Sequence, residues 1–70
     1  MANRMIKWFE FGHLPADLQA VSGPIRELAL MMNEQLPEGA EKTAGLRKLL
    51  EAKDCFVRAQ IEAREAKAGA

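Results

Sequence analysis

Six apolar residues, Leu14, Leu18, Val21, Ile25, Leu28 and Met32, recur at spacings of 4, 3, 4, 3 and 4. That period puts them on one face of an α-helix, so the first half of the chain must bury one helical side against something. The stripe is crossed by Ser22-Gly23-Pro24. A proline inside a helix removes a backbone donor and its ring clashes with the preceding turn. The segment therefore reads as a short helix from about Ala16, followed by a second start. Ser22 would be the N-cap of that second helix and Pro24 would sit in its first turn, running on to Gln35. A kinked continuous helix is the alternative.

Leu36-Pro37-Glu38-Gly39 then reads as a turn, because proline stops the preceding helix and glycine relaxes the backbone. A long helix is expected from Ala40 to about Glu65, with Leu46, Leu49, Leu50, Phe56, Val57 and Ile61 on its apolar side. Glu38/Lys42 and Asp54/Arg58 are i,i+4 pairs in the favourable order, each worth about 0.2–0.5 kcal/mol. Residues 62–70 form an Ala-Glu-Arg-Lys tract expected to fray. Residues 1–11 hold three of the four aromatic residues, Trp8, Phe9 and Phe11, and form an arm anchored on the fold or on a neighbouring subunit. The fold class is all-α: a single antiparallel two-helix hairpin domain with a short N-terminal helical, aromatic arm.

Size decides what such a hairpin needs. A core from 70 residues supplies only about 3–5 kcal/mol. One cysteine, Cys55, closes no internal disulfide, and with the one histidine, His13, it does not complete a four-ligand zinc site. Self-association is the remedy left, and a hairpin buries only one seam, so a homo-oligomer is expected. Twelve alanines and eight leucines against six Val, Ile and Thr favour helices throughout. The longest apolar run is five residues, Leu28 to Met32, far below the roughly 20 of a membrane span. No signal peptide is recognisable at the N-terminus, which with the free thiol suggests a cytoplasmic setting. Ten basic and ten acidic residues give zero net charge, removing the broad attraction to DNA, RNA or anionic membranes.

The residues able to carry chemistry are few. Lys53 falls on or beside the apolar stripe, as a snorkelling side chain or as an anion-binding lysine in a groove. Arg47, Lys48, Lys53 and Arg58 place four cations on one helix, with Glu51 and Asp54 near enough to make it a solvated, ion-paired face. Arg26, at the start of its helix, opposes the helix dipole unless a carboxylate or phosphate answers it; Glu27 or Asp17 would serve within the chain. Phe11 suits either the core or a planar ligand. His13 lacks a nucleophile or carboxylate at a catalytic spacing and reads as structural or capping. Glycine-rich phosphate loops and Cys-x-x-Cys are absent, Ser22 and Thr43 look like helix-start residues, and Met31-Met32 read as adaptable core. Nothing here supports catalysis, and no cofactor or metal is expected.

Several segments together carry a resemblance. Phe9-x-Phe11-Gly12-His13-Leu14-Pro15, Pro24-Ile25-Arg26-Glu27-Leu28-Ala29, Leu36-Pro37 and Glu41-Lys42-Thr43-Ala44-Gly45-Leu46-Arg47-Lys48-Leu49-Leu50-Glu51-Ala52 span most of the chain. The pattern resembles the small phage helical-hairpin family of anti-CBASS cyclic-oligonucleotide sponges and the related Thoeris anti-defence sponges. The resemblance implies a helical homo-oligomer, often a hexamer, acting in the host cytoplasm. It sequesters cyclic di- or trinucleotides, or ADP-ribose-derived rings, without cleaving them. Pockets between protomers would use an aromatic ring on bases and basic residues on phosphates. On this chain the implied ligand-binding set is Phe11, His13, Arg26, Thr43, Lys53 and Arg58. Gly12 stands where many members carry Tyr, and Val57-Arg58-Ala59 where many carry an Asn-Ala pair. The competing function is a helical assembly protein whose apolar face docks a partner protein.

Overall fold

The computed structural model describes residues 3–9, 12 and 14–69, the last two by backbone alone. A 3-10 helix, Arg4–Phe9, precedes two α-helices, α1 (Ala16–Gln35) and α2 (Ala40–Gly69). No strand occurs among the described residues. The helices run antiparallel. At one end the Lys42 ammonium meets the carbonyls of Asn33 and Leu36, at 2.8 and 3.0 Å. At the other end Asp17 accepts from Gln60 at 3.2 Å and pairs with Arg64 at 3.1 Å. The fold measures 48 × 19 × 15 Å. At about 1.5 Å per residue the 30 residues of α2 account for nearly all of that length. α2 continues to Gly69, past the end expected near Glu65 and through the tract expected to fray, and the side chains at 62–67 stay exposed.

α1 is one helix, with Pro24 inside it, rather than two pieces. The expected restart at Ser22 does not occur. Pro15 precedes the helix without a side-chain cap, and Ser22 lies fully buried in the helix interior. The reason is tertiary. Leu18 and Ala29 are buried on either side of the proline, so breaking the helix would uncouple two halves of one packed face. That burial outweighs one missing backbone hydrogen bond.

The arm completes the core. Phe9 is fully buried and joins Met5, Ala29 and Leu46, with Ile6, Ile25, Leu49 and Leu50 packed around them. An alanine at position 29 lets the arm approach the hairpin seam, where a larger side chain would hold it off. Asn3 fixes the arm's start. Its Oδ1 accepts from the Met5 N–H at 2.9 Å, capping the 3-10 helix, and its Nδ2 donates to Thr43 Oγ1 at 3.0 Å and Glu38 Oε2 at 3.1 Å. The Asn3 N–H reaches Asn33 Oδ1 at 3.1 Å.

The inter-helix turn is organised around Lys42, whose side chain is only 5% exposed. Besides the two carbonyls ending α1, it reaches Glu38 Oε1 at 2.6 Å. An ammonium at a helix C-terminus answers both the orphan carbonyls and the dipole. The Glu38/Lys42 pair therefore forms as its spacing suggests. The Asp54/Arg58 pair does not: Asp54 lies 3.3 Å from Lys53, and Arg58 turns to the Cys55 sulfur at 3.4 Å.

Much apolar surface is left over. Leu28, Met31, Leu36 and Phe56 are exposed, and a groove of about 690 Å³ runs along Leu28, Met32, Leu36, Leu46 and Leu49. Phe56, expected on the apolar side of α2, stands 56% exposed. No helix among the described residues is long and apolar enough to cross a membrane.

Candidate functional site

Where the arm ends against the middle of the hairpin, it leaves a half-open cleft of about 460 Å³. That lies within the roughly 300–1,000 Å³ of small-molecule sites. Lys7 and Trp8 come from the 3-10 helix, Ser22 from α1, and Lys53, Asp54, Val57 and Arg58 from α2, with Leu14 between. Helical spacing explains the α2 contribution: residues 53, 54, 57 and 58 are the i, i+1, i+4, i+5 positions of one face.

Trp8 is held by its backbone and is more than half exposed. Lys53 Nζ donates to the Trp8 carbonyl at 3.1 Å, which ties the end of the arm to α2. The neighbouring Phe9 drives into the core, so Trp8 faces outwards and is 56% exposed. Lys7 Nζ stands 5.1 Å from the Trp8 ring centroid, within cation–π range. Lys53 makes a second contact, to Asp54. An ammonium has three donors, so one N–H remains for a ligand. Among the described residues, three cations share this cleft with one carboxylate. Its lining is therefore positive in a chain of zero net charge.

Ser22 also lines the cleft. Its Oγ is buried without a hydrogen-bond partner, the one such side-chain atom found among the described residues. Among those residues, too, no cluster of three or more His, Cys, Asp or Glu is placed to hold a metal.

Of the six residues singled out from the sequence, Lys53 and Arg58 meet in this cleft. Thr43 does not line it; it lies near the turn, accepting from Asn3. Arg26, half-buried on α1, is not a lining residue either. Phe11 and His13 lie outside the described residues. Sequence reasoning missed Lys7, Trp8 and Ser22. The adjacent Lys7-Trp8 pair, a cation beside the one tryptophan, was the available signal for the first two. Ser22 carried a misleading one, since serine two residues before proline reads as a helix start.

No family model, curated protein or solved structure matches the chain.

Proposed function

We propose that this protein is a non-enzymatic binder of cyclic nucleotide messengers, an anti-defence sponge that sequesters a cyclic di- or trinucleotide without cleaving it. The observation that carries this reading is the gathering of Lys7, Lys53 and Arg58 around the exposed Trp8 ring. Among the described residues, three cations against one carboxylate leave an excess of positive charge, which complements the phosphodiesters of a cyclic nucleotide. The ring offers a stacking face for a base, and guanidinium and ammonium groups are the usual partners of phosphate oxygens. A long polyanion would need an extended basic surface, and this chain has none to spare.

Calorimetry with cyclic di-AMP, cyclic di-GMP and cyclic tri-AMP tests the proposal. The wild type is expected to bind at least one of them. Trp8→Ala should lose about 1–3 kcal/mol of that affinity, the scale of one base stacked on an aromatic ring. Arg58→Ala should lose about 1.5–3 kcal/mol, the scale of a charged hydrogen bond. No heat with any of the three from folded wild-type protein would refute the reading.

The apolar groove favours a second reading, in which the hairpin docks a partner through Leu28, Met32, Leu36, Leu46 and Leu49. A second copy of the chain is the occupant proposed here, so the sponge would be a homo-oligomer, as large as a hexamer by the resemblance. Light scattering at micromolar concentration is expected to give a multiple of 7.8 kDa. A monomer mass would contradict self-association while leaving the cleft intact.

A further inference from the structure

The cations and the ring of the cleft are generic: many planar anions would satisfy them. Ser22 is different. Its hydroxyl is enclosed, unpartnered and among the groups lining the cleft. A buried hydroxyl without a partner destabilises a fold, and serine in a helix usually escapes by donating to the carbonyl one turn back. Ser22 makes no such bond. Alanine at this position would avoid the desolvation cost and also favour the helix. The packing around Ser22 does not call for a hydroxyl, whereas a ligand entering the cleft would.

We infer that Ser22 is the specificity-determining donor of the cleft, its Oγ–H bonding a non-bridging phosphate oxygen of the bound nucleotide. The inference rests on the reading of the cleft as a nucleotide site. The hydroxyl is covered in the free protein, so its approach requires the cleft wall to give way. Trp8 is an exposed lining side chain with freedom to move. It is more than half exposed on a short 3-10 helix, and exposed side chains change rotamer in picoseconds to nanoseconds. The cations supply attraction, and Ser22 separates a phosphodiester from a planar molecule whose charge lies elsewhere.

Two readouts on Ser22→Ala test this. Its melting temperature is expected to be no lower than that of the wild type, because the hydroxyl it removes has no partner in the free protein. Its affinity for whichever of cyclic di-AMP, cyclic di-GMP and cyclic tri-AMP the wild type binds is expected to fall roughly tenfold. The phosphorothioate form of that nucleotide, with sulfur replacing a non-bridging oxygen, should bind the wild type more weakly yet cost Ser22→Ala little further, since both changes remove one bond. A lowered melting temperature would show that the hydroxyl is structural and overturn the inference. Equal affinity of Ser22→Ala and a binding wild type would overturn it while the nucleotide reading stands. A wild type that binds none of the three overturns both.

Discussion

Replacing Phe9 with alanine is expected to leave the protein largely unfolded at room temperature. Among the described residues Phe9 is the largest fully buried side chain and the one aromatic ring in the core. Truncating a buried phenylalanine costs about 3–5 kcal/mol, through lost transfer energy and the cavity left behind. A 70-residue core supplies about the same amount in total. The loss also propagates, because the Lys53 bond to the Trp8 carbonyl depends on the arm being seated. Far-ultraviolet circular dichroism and urea titration of Phe9→Ala measure this directly. A stability loss below about 1 kcal/mol would mean the arm is not part of the core.

Lys42→Met is the second large effect, with an expected loss of about 2–3 kcal/mol from charged hydrogen bonds at the turn. The methionine keeps the stem's packing but strands the Asn33 and Leu36 carbonyls and the Glu38 carboxylate. The loss falls short of the 3–5 kcal/mol of a fully buried broken pair, because Glu38 is 54% exposed. Acid sensitivity follows. The Lys42 hydrogen bond is the foremost influence lowering the Glu38 carboxyl below its ordinary 4.5, with partial burial opposing and Asn3 assisting. A carboxyl whose folded pKa is depressed stabilises the fold above its unfolded pKa and loses that contribution as pH falls through the folded value. Wild-type stability should therefore decline below about pH 4.5, and Lys42→Met should show a shallower decline. Urea midpoints at pH 7 and pH 3.5 would reveal it; parallel pH profiles would disprove the role of Lys42.

These two residues also mark what was legible in the sequence. The hairpin, its turn at 36–39 and the Glu38/Lys42 pair follow from apolar period, proline and glycine placement and i,i+4 spacing, all of which are local. Local signals mislead where packing overrules them. Ser22 and Pro24 announce a helix start, but Leu18 and Ala29 are buried on one continuous face, and only the presence of α2 reveals that. The arm divides its aromatic residues in a way spacing does not foretell, with Phe9 inward and Trp8 outward. Asn3 was invisible as a residue type, since its role needs Asn33, Glu38 and Thr43, each at least 30 positions away. For the same reason Lys53 and Arg58 were visible as cations, while the ring and hydroxyl that complete the candidate site arrive from other elements.

Zero net charge takes on a local meaning in this arrangement. Between the helices and at the turn, acids and bases neutralise one another in pairs such as Glu38–Lys42 and Asp17–Arg64. In the cleft they do not balance, and that imbalance is placed beside an exposed aromatic ring. The proposed preference for a small, planar anion over a polymer rests on that contrast.

The most direct measurement is a nitrogen-15 NMR titration of the wild type with the cyclic nucleotide giving the largest calorimetric heat, following the Trp8 indole N–H. The account predicts saturable shifts of that resonance and of the Lys7, Ser22, Lys53 and Arg58 backbone amides, with the groove amides at Leu28, Met32 and Leu36 nearly still. A static indole, or shifts concentrated along the groove, would contradict the cleft as the binding site.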